Sequence, residues 1–181
     1  MFFSKNRALK ITCVVSLLMI TFVYHRYINA ENNTHQIKFG ATYMTMNNTF
    51  YKAVNNEIEN VINDHGDVLY TRDPALDAKK QEEQINDLID LGIDVLIVNP
   101  VESTTINKTL KKVKKAGIKI IVVDAPISDD QIADCTVVSD NYDAGVKCAL
   151  DMMQRFEKAR IVLLEHQNVL SAVDRINGFK D

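Results

Sequence analysis

The sequence predicts an α/β fold in which a parallel sheet is doubly wound, with helices on both of its faces. Three observations predict it. Short apolar runs rich in β-branched residues alternate with segments of helical spacing. The runs are continuous rather than alternating in polarity, which indicates strands buried on both faces of a sheet. Glycines recur at intervals of 26, 26 and 25 residues, at Gly40, Gly66, Gly92 and Gly117, as expected of a repeated strand–helix unit.

Six apolar runs are predicted to be strands. They are Ile37–Tyr43, Asp67–Tyr70, Val95–Val98, Ile118–Asp124, Thr136–Ser139 and Ile161–Leu164. Each run is short, as strands in a parallel sheet usually are. A strand, a helix and a second strand of one sheet form a unit in which the strands are parallel and the helix makes a right-handed crossover between them. Consecutive runs are therefore expected to lie parallel.

Three helices are predicted from apolar residues that recur every three to four positions, over Asn48–Asp64, over Leu76–Leu91 and around Ile106, Leu110 and Val113. Gly66, Gly92 and Gly117 each follow one of these segments and precede an apolar run. Glycine is common just past a helix because it adopts a left-handed backbone conformation without steric cost. These three glycines are therefore predicted to end the helices.

Composition and charge limit the classes of function that the chain can have. The 181 residues are 46% hydrophobic and 25% charged, which excludes a disordered tail and suits one domain with the start of a second. The net charge is −3, but four of the 21 basic residues lie within residues 1–30, which contain no acidic residue. The rest of the chain is therefore distinctly acidic. An acidic surface argues against nucleic acid as a partner.

Residues 1–30 are predicted to be a signal peptide or a membrane anchor rather than part of the fold. Lys5, Arg7 and Lys10 precede an uncharged run, Ile11 to Tyr24, and a small residue, Ala30, follows at a plausible cleavage point. The run would form about 21 Å of helix, which is shorter than the ~30 Å hydrocarbon core of a membrane. This length favours a cleaved signal.

An uncleaved anchor is the alternative. Arg26 lies close to the cleavage point and Ile28 is an imperfect residue for it, so a span over residues 8–28 would keep the chain at the membrane. In both cases the basic amino terminus stays in the cytoplasm and residues 31–181 lie outside it. Residues 31–36 are then a linker to the folded part.

The predicted fold indicates where a ligand would bind. In an open parallel sheet, ligands bind beyond the carboxyl ends of the strands. Polar residues follow each of the six predicted strands, and the first strand is also followed by the aromatic pair Phe50 and Tyr51. Asn48 and Ser139 could instead cap helices, and the two aromatic side chains could pack beneath their own helix. Polar groups at all six exits exceed what capping requires, so we expect a binding site.

No sequence motif supports catalysis. The first strand lacks a following Gly-x-Gly-x-x-Gly, and neither a Gly-Lys-Thr/Ser nor a Gly-x-Ser-x-Gly motif is present. The four histidines do not have the spacing of metal ligands. Cys135 and Cys148 are interpreted as small buried hydrophobic residues, although they could pair as a disulfide. We therefore predict no enzyme activity, no cofactor and no metal.

The exit residues suit a neutral polyol instead. Asparagine and aspartate side chains can replace the water hydrogen bonds of adjacent hydroxyls, at about 0.5–1.5 kcal/mol net for each bond. Phe50 and Tyr51 could cover the apolar face of a sugar ring. The sequence thus favours a sugar over a phosphate, for which no arginine cluster or glycine-rich exit is present.

Five stretches of the sequence match a known family: Met46-Asn47-Asn48-Thr49-Phe50-Tyr51, Val95-Leu96-Ile97-Val98-Asn99-Pro100, Ile121-Val122-Val123-Asp124, Ser139-Asp140-Asn141-Tyr142-Asp143-Ala144-Gly145 and Arg175-Ile176-Asn177-Gly178-Phe179. On these stretches, residues 37 to 181 resemble the amino-terminal part of a type I periplasmic sugar-binding protein of the ribose, galactose and xylose class. Their order and spacing agree with that class. The resemblance implies two similar α/β lobes that close on a sugar without any chemical step.

The resemblance also implies which residues bind the ligand. It implies Asn48, Phe50, Tyr51, Asn99, Asp124 and Ser139, and the predicted set also includes His166, which follows the sixth predicted strand and is not carried over from the resemblance. The first three would line the first-lobe side of the cleft, Asp124 would bind a sugar hydroxyl, and Ser139 would lie at the crossing between lobes.

Two positions depart from the pattern. Ala125 follows Asp124 where many relatives have arginine, and Val173 stands where a second arginine is usual. Because arginine is a forked donor, its loss changes which sugar would fit. His166, Gln167 or Arg72 would have to compensate.

The expected function is binding of a monosaccharide in the periplasm or at the outer face of the cytoplasmic membrane, as the solute receptor of an ABC importer. A membrane-anchored sugar sensor that presents its ligand state to a histidine-kinase ectodomain is the alternative, and a secreted Rossmann-like enzyme is the third possibility. Residues 37–139 are predicted to be the amino-terminal lobe and residues 140–181 the truncated start of the second. The chain is therefore expected to be a fragment of a longer protein.

Overall fold

The computed structural model describes residues 15–25 and 36–181. The predicted cleavage point, residues 31–35 of the linker and both ends of the 8–28 span lie outside the described residues. Residues 15–25 form helix α1, whose side chains are exposed. Among the residues described, no helix has both the length and the apolar character needed to cross a bilayer. The chain divides into two compact units, Met1–Gln36 and Ile37–Asp181.

Five parallel strands form one sheet in the order β2-β1-β3-β4-β5. Their bounds are β1 Lys38–Thr42, β2 Val68–Arg72, β3 Val95–Val98, β4 Lys119–Asp124 and β5 Cys135–Val138. In the interior strand β1, Ala41 is paired with Thr71 of β2 on one side and with Ile97 of β3 on the other. Five of the six predicted strands are thus confirmed, and the bounds of β3 are as predicted.

The chain after residue 36 contains five helices, and the first three of them cover the two faces of the sheet. Their bounds are α2 Thr49–Asp64, α3 Ala78–Asp90, α4 Asn107–Lys115, α5 Asn141–Arg155 and α6 Leu170–Lys180, with a short 3₁₀ turn at Asp130–Ile132. Ile85 and Leu88 of α3 and Leu110 of α4 pack with the sheet in one buried cluster. Tyr51 of α2 joins a second cluster with Tyr43. The doubly wound arrangement is confirmed.

Glycines end three of the helices, as predicted. Gly66, Gly92 and Gly117 follow α2, α3 and α4, and their φ angles are +79°, +73° and +79°. Each donates its N–H to a carbonyl three residues back, at 2.9 to 3.1 Å. Because an L side chain is strained at such angles, glycine turns the chain from each helix toward the next strand.

The predicted strand Ile161–Leu164 is wrong. Residues 159–166 have no regular secondary structure, and Val162 and Leu164 are 86% and 90% exposed. The described sheet ends at β5, so this run has no neighbouring strand. An isolated strand cannot satisfy its backbone hydrogen bonds or bury its side chains, which removes the reason for the run to be extended.

The interpretation of Cys135 and Cys148 as buried residues is also wrong. Both side chains are exposed and both thiols are free, so they do not form a disulfide with each other. Cys135 lies on β5, the edge of the sheet, where all four residues are exposed. Cys148 lies on α5, which buries only Asn141 and Gly145.

Helices α5 and α6 cross at two glycines. A Cβ atom on Gly145 would overlap the carbonyl oxygen of Arg175 and lie 2.8 Å from the backbone nitrogen of Phe179. A Cβ atom on Gly178 would overlap the carbonyl oxygen of Tyr142. Since backbone atoms cannot rotate away as side chains can, this contact requires glycine at both positions.

Replacing Gly145 with alanine is therefore expected to destabilise the protein. A glycine-to-alanine change inside a helix normally stabilises by about 0.5–1 kcal/mol, whereas the overlap here should cost about 1–3 kcal/mol. Urea unfolding measures the difference. Met153→Ala, on the same helix but 75% exposed, serves as the control and should change stability by less than about 0.5 kcal/mol. A more stable Gly145→Ala variant would contradict the close crossing.

Candidate functional site

The carboxyl ends of β1, β3 and β4 bring three predicted residues together. These strands are neighbours in the sheet and run in the same direction, so their exits lie at one edge. Tyr51 stands in the first turn of α2, which follows β1, while Asn99 directly follows β3 and Asp124 is the last residue of β4. The parallel arrangement of the strands thus brings Tyr51, Asn99 and Asp124 together.

Hydrogen bonds join the three side chains. The Tyr51 hydroxyl donates to Oδ2 of Asp124 at 2.9 Å. Nδ2 of Asn99 donates to the same carboxylate oxygen at 3.4 Å and to the carbonyl oxygen of Val123 at 3.1 Å. Oδ1 of Asn99 accepts from the backbone nitrogen of Met44 at 3.1 Å. Asn99 thereby links the exits of β1 and β4.

Asp124 lies in a strained turn. Its φ angle is +66°, and the N–H of Ala125 donates to the carbonyl oxygen of Val123 at 2.8 Å, which closes a three-residue turn. A positive φ is unfavourable for residues other than glycine, although aspartate tolerates it better than most. Such strain costs about 1–3 kcal/mol and persists only where the surroundings enforce it. The hydrogen bonds that Asp124 accepts from Tyr51 and Asn99 are part of those surroundings.

Tyr51 is buried rather than exposed. Only 6% of its surface is accessible, and its ring stacks on Tyr43 with centroids 5.9 Å apart. Burial, followed by the hydrogen bond to Asp124 and the charge of that carboxylate, raises the pKa of the Tyr51 hydroxyl above its usual value. Tyr51 therefore remains a protonated donor at neutral pH. Of the two interpretations of Tyr51, covering a sugar ring or packing beneath its own helix, its burial agrees with the second.

The other aromatic residue, Phe50, is available at the surface. It is 52% exposed and meets Tyr51 edge-on, with ring centroids 5.3 Å apart. Asn48 acts as the cap of α2, because its Oδ1 accepts from the backbone nitrogen of Phe50 at 2.9 Å. Ser139 is not a cap, since Asp140 performs that role for α5.

Two cavities meet at Asp124. One, of about 270 Å³, is lined by Asp124, Asn141, His166 and Arg175, among others. Another, of about 380 Å³, is lined by Phe50, Tyr51, Asp124 and Ser139 together with apolar residues of α2 and β5. Asn48 lines neither of these two cavities.

Arg175 lies near one of these cavities in a fixed position. Its Nη2 donates to Oδ1 of Asn141 at 2.6 Å. Asn141 is itself buried at the start of α5. A guanidinium group beside the Asp124 cavity provides further donors for a polar ligand.

Sequence reasoning missed Gln81. This residue of α3 is fully buried. Its Nε2 donates to the carbonyl oxygen of Asn99 at 2.9 Å, and its Oε1 accepts from the backbone nitrogen of Val101 at 2.9 Å. Through these two hydrogen bonds, Gln81 fixes the backbone that follows β3. Its position four residues before Ile85, on the inward face of the helix, was a signal that could have identified it.

Fold and site together define an α/β binding protein whose polar groups meet at the carboxyl edge of a parallel sheet. Residues 39–181 match the sequence profile of a family described as periplasmic binding protein domain. The chain belongs to that family. The resemblance noted in the sequence is thereby confirmed, and so is the predicted fold class.

Two curated relatives carry sugar-binding descriptions. The chain is 27% identical over 151 residues to the ribose import binding protein RbsB of Bacillus subtilis, a match that covers 82% of this chain and 49% of that protein. It is 31% identical over 70 residues to the multiple sugar-binding periplasmic receptor ChvE of Rhizobium radiobacter, covering 39% of this chain and 20% of that protein. The chain spans about half the length of the first relative.

Solved structures agree on the fold. An ABC transporter solute-binding protein from Mycobacterium smegmatis with bound glycerol superposes with a TM-score of 0.70 at 30% identity, covering 80% of this chain and 51% of that one. The Caulobacter myo-inositol binding protein bound to myo-inositol gives a TM-score of 0.73 at 19% identity, covering 82% and 51%. The second likeness supports the fold alone.

Replacing Gln81 with leucine is expected to destabilise the β3 exit. The carbonyl oxygen of Asn99 and the N–H of Val101 would lose their buried partner, at a cost of about 2–4 kcal/mol in the free energy of unfolding. Urea denaturation measures this loss. The same change at the exposed Gln131 is the control and should cost less than about 0.5 kcal/mol. Equal stabilities of the two variants would show that Gln81 does not support the exit.

Proposed function

We propose that the chain is the amino-terminal part of an extracytoplasmic sugar-binding protein that serves as the solute receptor of an ABC importer. In this proposal residues 37–139 are the first lobe and residues 140–181 begin the second. A monosaccharide binds between them without undergoing a reaction. The observation that carries the proposal is the cluster of Tyr51, Asn99 and Asp124 at the strand exits, with His166 lining the same cavity as Asp124.

The chemistry of that cluster supports a polyol ligand. A carboxylate accepts hydrogen bonds from hydroxyl groups, and Arg175 can donate to sugar oxygens. Phe50 offers an exposed ring that can lie against the C–H face of a sugar. The names of related proteins add support, since they mention ribose and glycerol. The remaining predicted residues, Asn48 and Ser139, are proposed to contribute peripheral contacts.

A membrane-anchored sensor is the second candidate. It is favoured by one observation, the apolar segment that ends at Arg26 and Ile28 rather than at a typical cleavage sequence. An anchor over residues 8–28 would hold the sugar-binding part at the outer face of the membrane, where its ligand state would be read by a histidine-kinase ectodomain.

Sugar binding predicts stabilisation by the ligand. The complete protein, expressed from its own gene, is heated with D-ribose, D-xylose, L-arabinose, D-galactose or D-glucose. At 100 times Kd a bound sugar should add about 2.7 kcal/mol, which shifts Tm by several degrees. Asp124→Asn should abolish most of the shift because the carboxylate acceptor is lost.

Asp90→Asn is the matched control for that experiment. Asp90 is an exposed aspartate at the end of α3 and does not line the two cavities at Asp124. Its replacement should leave the ligand-induced shift unchanged. Absence of a shift for every sugar with the wild-type protein would refute the proposed function.

The amino terminus of the mature protein separates receptor from sensor. A secreted receptor is expected to begin at Glu31, because cleavage after Ala30 removes the signal. Edman sequencing or intact-mass measurement of the protein from its native host provides the answer. An intact terminus in the membrane fraction would favour the sensor.

A further inference from the structure

The Asp124 carboxylate is held from two sides. Its backbone is fixed by the three-residue turn, whose Val123 carbonyl also accepts from Asn99. Its side chain is fixed through Oδ2, which accepts from the Tyr51 hydroxyl at 2.9 Å and from Asn99 at 3.4 Å. No described residue donates to Oδ1. The hydrogen bonds of the described residues therefore use one oxygen of the Asp124 carboxylate and leave the other without a donor, at a residue that lines both cavities.

The Tyr51 hydroxyl is well placed to select Oδ2. It has a single proton, and the only other acceptor recorded for it among the described residues is the sulfur of Met44 at 3.4 Å. A thioether is a weak acceptor, whereas a carboxylate is a strong one. The proton is therefore directed to Asp124.

The Tyr51 ring is itself fixed. It stacks on Tyr43, which is fully buried, and it belongs to the first turn of α2, whose start is capped by Asn48. A buried ring in a packed cluster has little rotational freedom, so its hydroxyl cannot follow the carboxylate if the carboxylate turns. Tyr51 therefore offers Asp124 a hydrogen-bond donor in a fixed position.

We propose that Tyr51 is a positioning residue for sugar binding, whose hydroxyl occupies Oδ2 of Asp124 and thereby presents Oδ1 to a ligand hydroxyl. This inference rests on the proposed function. It differs from the expectation that the Tyr51 ring covers the sugar, because the ring is buried against Tyr43. Phe50 is the aromatic residue left to make that contact.

The inference predicts that Tyr51 acts through Asp124. Affinity is measured by isothermal titration of the complete protein with the sugar of the panel that stabilises it most. Tyr51→Phe keeps the ring and removes the donor, so Kd should rise about ten-fold, as expected for loss of a hydrogen bond to a charged group. Asp124→Asn should weaken binding at least as much.

A double-mutant cycle distinguishes positioning from general support. Once Asp124 is replaced by asparagine, the Tyr51 hydroxyl has no carboxylate to orient. Adding Tyr51→Phe should then raise Kd by less than about two-fold. A role in folding alone would weaken binding equally in both backgrounds.

Tyr43→Phe is the matched control. It removes a hydroxyl from the ring stacked on Tyr51, and that hydroxyl is buried without a hydrogen-bond partner among the described residues. Its Kd should remain within about two-fold of the wild type, and its Tm should not fall.

Two outcomes would overturn the inference. A Kd for Tyr51→Phe within two-fold of the wild type would show that the hydroxyl does not position Asp124. Additive losses in the double mutant would show that Tyr51 acts independently of Asp124. If the wild-type protein binds no sugar of the panel, the proposed function itself fails and this inference fails with it.

Discussion

The buried side chain of Asn99 is the constraint on which the strand exits depend. It has no exposed surface, so its amide must find partners within the protein, because an unsatisfied buried polar group costs about 1–3 kcal/mol. These partners are the backbone N–H of Met44, which follows β1, and the backbone carbonyl oxygen of Val123 in β4. The main-chain carbonyl oxygen of Asn99 accepts from Gln81 of α3. The exits of three adjacent strands are thereby tied together. The position of Asp124 follows from this arrangement before any ligand is considered.

Most of the fold could be predicted because it rests on local patterns. Apolar runs specify strands, and glycines such as Gly66 specify where helices end, since both depend on nearby residues. The prediction failed at Ile161–Leu164 because a strand needs a neighbour, and the run itself does not reveal whether one is present. Cys135 was misjudged for a related reason: its burial depends on whether β5 is central or at the edge of the sheet.

The site was predicted less completely than the fold. The convergence of Asn99 and Asp124 followed from the topology of a parallel sheet, which brings strand exits to one edge. The hydrogen bond from Tyr51 could not be predicted, since it depends on the rotation of α2 and on the positive φ of Asp124. Gln81 was missed because it lies on a helix, whereas the binding residues were predicted from polar positions that follow the strands. A buried glutamine on an inward helix face is informative for the same reason that Asn99 is: its amide must be satisfied.

The loop that follows Asn99 also determines where the last helix begins. The N–H of Ser103 donates to the carbonyl oxygen of Asn168, and the Ser103 hydroxyl accepts from the N–H of Leu170. Val169, the residue at the start of α6, has no side-chain acceptor, so Ser103 supplies from a distant loop the acceptor that a helix cap usually supplies locally. His166, two residues before Asn168 in the chain, lines the same cavity as Asp124. The segment after β3 is thus hydrogen-bonded to Asp124 through Asn99 and to the start of α6 through Ser103, so one loop connects the β4 exit with the last helix.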